Sequence, residues 1–228
     1  MERILLENFN LVKENKQILK DINFIFNDNT SLIGTSNSGK TSLLKVLEEK
    51  FNVIRIYKNN SFYASSVEDE LRYLLLAYSQ KKIVRDLLPN VNLINNPNNL
   101  KNYEKIKLSI LKGLIRNKGF ISFDNIMYFV NKNDKKIIID YMKKNNIKFI
   151  IVSNDLNELF NTKITYILNE GSIIAYGNSD KILLEEKLLK RLGFKLPFMI
   201  DLSLQLKAYK LVNNIYYDKQ LLIDKLWK

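Results

Sequence analysis

The segment from Gly34 to Thr41, GTSNSGKT, has the residue types and spacing of a phosphate-binding loop, or P-loop. Gly34 and Gly39 permit backbone conformations that turn consecutive N–H groups inward, which creates an anion site at the start of a helix. Lys40 supplies a positive charge for the β- and γ-phosphates of a nucleoside triphosphate. We therefore predict that ATP binds here, contacted by the loop and the residue after it: Gly34, Thr35, Ser36, Asn37, Ser38, Gly39, Lys40, Thr41 and Ser42.

Two side chains predict a Mg²⁺ site beside these phosphates. Thr41 supplies a hydroxyl ligand. Asp124 stands at the C-terminal end of the apolar run FISF, where its carboxylate is placed to hold the same Mg²⁺ through the water shell of the ion. The pair Thr41 and Asp124 is therefore our candidate metal site.

The flanking sequence argues against a chance glycine-rich turn. TSLIG, just before the loop, is typical of a short buried strand, and KTSLLKVLEEK, directly after it, has helical spacing. A strand, a GxxxxGK[ST] loop and a helix in this order are the context that a P-loop requires.

Alternating strands and helices are predicted along the chain. ILLENFNLV and ILKDINFIF read as two strands joined by a turn, and the apolar runs at 120–123 and 148–153 predict buried strands. We predict one long helix from Ser66 to Leu88, with Ser66 as its cap, and an amphipathic helix over 102–116. This alternation indicates an α/β fold with a mostly parallel sheet flanked by helices.

The domain prediction follows from the same elements. Residues 1–180 form a nucleotide-binding domain that contains a helical subdomain at about 66–116. Residues 181–228 form a helical tail, broken at Leu196-Pro197, with no loop long enough to mark an independent domain.

The composition excludes several classes of protein. No apolar run approaches the roughly 18 residues of a membrane span, and the N-terminus has no basic-then-apolar signal-peptide pattern. The absence of cysteine and histidine excludes disulfides and thiolate or imidazole metal sites, and fits a cytoplasmic protein. The net charge of +12 comes from scattered lysines without interleaved basic–aromatic patches, so we expect no nucleic-acid partner.

The P-loop at 34–41 and the apolar strand that ends at Asp124 are similar to the Walker A and Walker B elements. With both, the chain resembles the ATP-binding cassette (ABC) ATPases, and among them the ATPase subunits of energy-coupling factor (ECF) importers. The opening LLENFNLVKENKQILKDINF, the segment NNSFYASSVEDEL and the closing ILNEGSIIAYGNSDKIL are similar to the family's corresponding parts. The tail LKRLGFKLPFMIDLSLQLK resembles the helical tail by which ECF ATPases associate, although a plain amphipathic helix is the alternative. The resemblance implies a P-loop NTPase fold of the ABC type, here with a shortened antiparallel subdomain.

The positions that carry hydrolysis in the family differ in this chain. In the family, the glutamate that polarises the attacking water follows the Walker B aspartate; here Asn125 follows Asp124. The switch histidine of the family corresponds to Asn154, in Ser153-Asn154-Asp155. A neutral amide orients water but does not accept its proton. Asn125 and Asn154 therefore stand at altered catalytic positions.

Other family positions have changed as well. The signature segment reads LKNYEKIKL, where Lys101, Asn102 and Tyr103 replace a serine and two glycines. Their bulk obstructs the close backbone approach to a γ-phosphate bound by a partner subunit. The adenine-stacking aromatic, the Q-loop glutamine and the D-loop aspartate align with Lys13, Ile56 and Asn131.

These differences, taken together, argue against an efficient autonomous ATPase. The resemblance implies an ATP-binding subunit of an ECF importer for vitamins or micronutrients, peripheral at the cytoplasmic face of the cell membrane. It implies a heterodimer with a second, more complete ABC ATPase subunit, a transmembrane ECF subunit and a substrate-binding membrane subunit. ATPase activity would then belong to the assembled transporter, with this chain alone weak or inactive.

Two other functions remain open from the sequence. A non-hydrolysing scaffold or regulator would bind ATP for stability alone. A small-molecule kinase also uses GxxxxGKT, although such an enzyme needs an arginine-rich lid and the arginines here are few and dispersed.

Overall fold

The computed structural model describes residues 3–58, 62–116 and 119–227; residues 59–61, the first three of the segment NNSFYASSVEDEL, lie outside these ranges. The strands are β1 (Ile4–Lys13), β2 (Lys16–Phe26), β3 (Thr30–Gly34), β4 (Ile54–Tyr57), β5 (Phe120–Asp124), β6 (Lys148–Val152), β7 (Ile164–Asn169) and β8 (Ser172–Asn178). The helices are α1 (Lys40–Phe51), α2 (Val67–Leu71), α3 (Tyr78–Leu87), α4 (Asn102–Arg116), α5 (Lys132–Lys144), α6 (Ser179–Leu183), α7 (Glu186–Arg191), α8 (Phe198–Ala208) and α9 (Lys219–Leu226).

The central sheet has the strand order β4-β5-β6-β3-β7-β8, in which every neighbouring pair is parallel except β7 and β8. β1 and β2 form a separate antiparallel pair. The predicted α/β fold with a mostly parallel sheet and a small antiparallel part is confirmed. Parallel strands place their carboxyl ends along one edge, so the residues that follow β3, β5 and β6 lie side by side.

Apolar side chains on both faces of the sheet fix this arrangement. β3 is buried at every position, as expected for a central strand covered by helices. One buried cluster joins β5 and β6 to α4 and α5, with Phe123 and Phe149 fully buried. A second joins the β1–β2 pair to α1 and β3, around Phe24 and Phe26. Leu32 of β3 packs in this second cluster and Ile33 packs in a third, so the strand that leads into the P-loop is held between two packed layers.

The prediction of one helix from Ser66 to Leu88 is wrong in its middle. Ser66 caps α2 as predicted, because its hydroxyl accepts a hydrogen bond from the Asp69 N–H at 3.1 Å. The helix then ends at Arg72, whose backbone is left-handed (φ 50°), and a 3₁₀ turn separates α2 from α3. The apolar run does not form one stripe, since Tyr73 packs against the core whereas Leu75 is 82% exposed.

The C-terminal part is helical and breaks at Leu196-Pro197, between α7 and α8, as predicted. Its first helices pack onto the sheet, because Leu189, Phe194 and Ile200 share a buried cluster with Ile33 and Ile167. The boundary between a domain at 1–180 and a tail at 181–228 stays a prediction. In the part of the chain that the structure describes, no helix combines the length and apolarity that crossing a bilayer requires.

A charged pair ties α2 to α4. The Glu70 carboxylate accepts hydrogen bonds from the backbone N–H groups of Tyr63 (3.1 Å) and Ala64 (2.9 Å) and from the Lys112 ammonium. Its side chain is only 6% exposed. Burial raises the pKa of Glu70, but the hydrogen bonds and charge of Lys112 and the backbone donors outweigh it, so the net pKa is lowered.

We expect Glu70→Gln to destabilise the protein by about 3 kcal/mol at pH 7, because it leaves Lys112 without its buried partner. The lowered pKa makes the contribution of Glu70 complete above its ordinary value of 4.5 and lost as the pH falls through the folded value. Urea unfolding of the wild type and of Glu70→Gln at pH 7 and pH 4 measures this contribution. The difference in unfolding free energy between the two proteins should be smaller at pH 4 than at pH 7.

Glu49→Gln, at an exposed position of α1, is the control and should change the unfolding free energy by less than about 0.5 kcal/mol. A Glu70→Gln variant as stable as the wild type at pH 7 would show that this pair does not hold the two helices together.

Candidate functional site

The predicted site residues meet at the carboxyl edge of the sheet. The P-loop follows β3, Asp124 ends β5, and Asn154 lies two residues beyond the end of β6. A cleft of about 720 Å³ opens there. It is lined by Lys16, Gln17, Ile18, Lys20, Ser36, Asn37, Ser38, Gly39, Lys40, Thr41, Ser42, Asn125, Asn154, Glu170 and Gly171.

The loop backbone leaves the first amides of α1 open. Asn37 (φ 60°) and Gly39 (φ 102°) both adopt left-handed conformations, and α1 begins at Lys40 with no side-chain cap. The early N–H groups of a helix have no partner within the helix, and their dipoles favour an anion. The chain thus has the geometry of an anion site at the place where the sequence predicts one.

Gly34 is the point where the loop leaves the sheet, and close packing requires glycine there. A Cβ atom at this position would lie 2.0 Å from the carbonyl oxygen of Leu168 and 2.7 Å from Ser38 Oγ. No side chain fits into that space without moving β7 backbone, so Gly34 is needed for the approach of β3 to β7.

Lys40 folds back over the loop. Its Nζ donates hydrogen bonds to the carbonyl oxygens of Gly34 (2.9 Å) and Thr35 (2.7 Å) and to Ser38 Oγ (3.2 Å). Burial lowers the pKa of Lys40, and the nearby charge of Asp124 partly offsets this. The ammonium is therefore held inside the curve of the loop, next to the open amides.

Thr41 and Asp124 lie within hydrogen-bond distance of each other. Thr41 Oγ1 donates to Asp124 Oδ1 at 3.0 Å. A hydroxyl beside a carboxylate is a donor set that suits a hydrated Mg²⁺: Thr41 Oγ1 would coordinate the ion, and Asp124 would hold a water of its shell. The residues present fit a magnesium site that uses one oxygen of the carboxylate.

The other carboxylate oxygen of Asp124 accepts a hydrogen bond from Arg55, a residue that the sequence did not point to. Arg55, in β4, donates from one guanidinium nitrogen to Asp124 Oδ2 at 3.0 Å and from Nε to Glu48 Oε2 at 2.8 Å. Burial lowers the pKa of Arg55, but hydrogen bonding and the charges of Glu48 and Asp124 raise it overall. The available signal was a single charged residue in the short apolar run VIRIY at 53–57.

Asn125 and Asn154 both line the cleft and are exposed. Asn125 has a left-handed backbone (φ 56°), a conformation that asparagine tolerates better than most residues. Next to Asn154, the Ser153 hydroxyl accepts from the Asp155 N–H at 2.9 Å. The structure thus brings both amides to the mouth of the site, while their roles stay predictions.

The signature segment lies apart from this cleft, at the start of α4. The Glu104 carboxylate accepts from the Lys101 N–H at 2.9 Å and from the Tyr103 hydroxyl at 3.1 Å. Tyr103 is 51% exposed. A bulky ring and a carboxylate therefore occupy the helix start, which makes it less suited to an anion than the start of α1.

The remaining aligned positions have structural roles or lie at the surface. Ile56 is buried in β4, where it packs against Gly113 of α4. Asn131 caps α5, since its Oδ1 accepts from the Asp134 N–H at 2.9 Å. Lys13 is exposed at the end of β1.

Gly171, in the turn between β7 and β8, braces the P-loop. Its N–H donates to the Ser38 carbonyl at 3.0 Å, and its carbonyl accepts from the Lys20 N–H at 2.8 Å. It has φ 84°, and a Cβ atom there would lie 2.5 Å from the Ile18 carbonyl oxygen. The turn thus links β2 to the loop through backbone contacts.

Comparison with known proteins agrees with the motif analysis. No family model matches the chain. The energy-coupling factor transporter ATP-binding protein of Mesomycoplasma hyopneumoniae strain J is 26% identical, over 92% of this chain and 91% of that protein. Proteins of the same description from Malacoplasma penetrans (23%, covering 92% and 88%) and Lactobacillus delbrueckii (23%, covering 87% and 86%) also match.

The fold is that of an ABC ATPase. A bacterial Atm1-family ABC exporter solved with ATP bound superimposes with a TM-score of 0.72 at 12% identity, over 84% of this chain and 41% of the exporter chain. The predicted resemblance to ABC ATPases of the ECF type is confirmed.

We expect Gly171→Ala to destabilise the protein by about 2–4 kcal/mol, because it combines left-handed strain with a collision against β2 backbone. Gly193→Ala is a matched control, since Gly193 also has a left-handed backbone (φ 80°) but a Cβ atom would meet nothing within 4 Å. That variant should lose only about 1 kcal/mol. Thermal unfolding compares the stability of Gly171→Ala and Gly193→Ala. Equal losses of stability would mean that the close approach to the Ile18 carbonyl does not contribute to the effect at Gly171.

Proposed function

We propose that this protein is the ATP-binding subunit of an ECF-type ABC importer for vitamins or micronutrients, seated at the cytoplasmic face of the membrane. One observation carries the proposal: α1 begins without a side-chain cap, the Lys40 ammonium is held by the loop before it, and the Thr41 hydroxyl in its first turn donates to Asp124 Oδ1 at 3.0 Å. Relatives named as ECF transporter ATP-binding proteins match this chain over most of its length. The helix start with its lysine suits a triphosphate, and the hydroxyl–carboxylate pair suits its cation.

ATP would bind with its phosphates against the open amides of residues 39–42. Lys40 would exchange its hydrogen bonds to loop oxygens for phosphate oxygens, which its flexible stem permits. Thr41 and Asp124 would hold Mg²⁺, which when bound neutralises charge on the β- and γ-phosphates.

Hydrolysis by this chain is expected to be weak. Asn125 and Asn154 stand where the family resemblance places the general base and the switch histidine. Both side chains donate and accept hydrogen bonds, but neither accepts a proton from water. Losing a general base costs about 10²–10⁴-fold in rate.

The proposed assembly is a heterodimer with a more complete ATPase subunit, together with a transmembrane ECF subunit and a substrate-binding membrane subunit. Glu104 and Tyr103 at the start of α4 support an altered second site, since the Glu104 charge opposes a γ-phosphate and the Tyr103 ring takes up space beside it. Exposed apolar side chains of the C-terminal part support a dimerisation role for residues 181–228: Phe198, Tyr209, Leu211, Leu221 and Trp227.

The alternative is a non-hydrolysing ATP-binding scaffold or regulator. The two amides at the catalytic positions favour it, because binding without turnover needs only the P-loop. The two functions differ in whether transport depends on nucleotide at this site.

We expect Lys40→Ala to weaken ATP binding at least tenfold, because it removes the one buried ammonium of the loop. Isothermal titration of the purified chain with Mg²⁺-ATP measures the affinity. Lys45→Ala, at an exposed position of the same helix, is the control and should bind as the wild type does. Equal binding by Lys40→Ala and Lys45→Ala contradicts the P-loop role.

The assembly is tested by affinity purification from membranes of the native cell. We expect a second ABC ATPase and a multispanning membrane protein to copurify with this chain. In cells that carry Lys40→Ala, we expect the uptake of the vitamin or micronutrient to fall. Uptake that is unchanged in those cells supports the scaffold instead. A chain recovered alone from the soluble fraction argues against the transporter.

We expect Asn125→Glu to hydrolyse ATP at least tenfold faster than Asn125→Gln in the copurified complex. Both variants place a longer side chain on the same left-handed backbone, so they share any strain and differ in the ability to accept a proton. Phosphate release measures the rates. Equal rates would show that the missing base does not limit turnover.

A further inference from the structure

The carboxylate predicted to hold Mg²⁺ is already engaged by a positive charge from its own chain. Asp124 Oδ2 accepts from Arg55 at 3.0 Å while Oδ1 accepts from Thr41 at 3.0 Å. The Asp124 side chain is 7% exposed and that of Arg55 is 12% exposed. Both oxygens of the carboxylate therefore have a donor before any cation arrives.

Arg55 is held in this position from several sides. Its Nε contacts Glu48 of α1, and its guanidinium lies over the Tyr57 ring at 4.5 Å. Tyr57 pairs with Asp124 in the parallel register of β4 and β5, and Arg55 lies two residues earlier in β4, so its side chain leaves the same face of the sheet. Because these contacts already fix the Arg55 side chain, it loses little further conformational entropy when it contacts the Asp124 carboxylate.

We propose that Arg55 is a built-in cation that competes with divalent metal for Asp124, so that this site holds a nucleoside triphosphate with little dependence on Mg²⁺. This inference rests on the proposed nucleotide binding. Arg55 shares its charge between Glu48 and Asp124 and so offsets part of the Asp124 charge, which reduces both the attraction of this carboxylate for Mg²⁺ and its repulsion of a metal-free polyphosphate. Without Arg55, the carboxylate would repel ATP unless Mg²⁺ lay between them.

A purely structural role for Arg55 makes a different prediction. If the guanidinium served only to join α1 to β4 through Glu48, its removal would lower stability and leave the metal dependence of binding unchanged. The metal dependence therefore separates the two roles.

The test compares ATP affinity in Mg²⁺ with ATP affinity in EDTA, measured by titration calorimetry on the full chain. For the wild type we expect the two dissociation constants to agree within about threefold. For Arg55→Met we expect EDTA to weaken binding at least tenfold relative to Mg²⁺. Glu48→Gln keeps the contact between Arg55 and Asp124 and should retain the wild-type ratio. The same ratio in the wild type and Arg55→Met overturns the proposal.

A second measurement does not depend on nucleotide. Mn²⁺ titration followed by electron paramagnetic resonance should show at least fivefold tighter binding by Arg55→Met than by the wild type. Equal affinities, including no measurable binding by either protein, overturn the proposal. If no variant binds ATP under either condition, the proposed function fails, and the Mn²⁺ result still decides the role of Arg55.

Thermal unfolding checks that the variants fold. Should Arg55→Met fail to fold, Arg55→Gln removes the charge while keeping a hydrogen-bonding group for Glu48. The same outcomes then apply to it in both measurements.

Discussion

The site depends on a run of backbone amides at the start of α1 that the protein leaves without a side-chain partner. Open amides in a partly enclosed place are costly, and a fold keeps them only where the surroundings hold the loop in shape. Here the buried strand β3, the close approach at Gly34 and the brace at Gly171 supply that support. The ammonium of Lys40 occupies the inside of the curve.

The charges around these amides balance one another without a ligand. Lys40 rests on loop carbonyls, and Asp124 is shared between Thr41 and Arg55. A triphosphate would therefore replace contacts that these charges already make within the protein. Its net affinity is the free energy of the new contacts minus that of the contacts it displaces. The identity of the neighbours of Asp124 thus matters as much as the presence of the P-loop.

The sequence predicts the parts of the site that are local in the chain. The order of strand, loop and helix around Lys40 follows from hydrophobic period and glycine spacing, and Asp124 follows from its place at the end of an apolar strand. Arg55 was not predictable in this way, because its contact depends on β4 lying beside β5, a pairing between segments about 70 residues apart. The break at Arg72 was missed because residues 66–88 contain no glycine or proline, the usual signals of a helix end, whereas in the structure Arg72 is left-handed and Tyr73 packs against the core.

The two helix starts that matter for the proposed function have opposite chemistry. α1 begins at a left-handed glycine with no cap, while α4 begins beside a carboxylate that accepts from Lys101 and from Tyr103. An anion is attracted to the first, whereas at the second the Glu104 charge opposes the partial charge of the helix dipole. If two ABC subunits pair so that each P-loop faces the partner's α4, this chain keeps its own phosphate site and gives little to the partner's. On the proposed pairing, that asymmetry would make an identical partner a poor match and a more complete second subunit a good one.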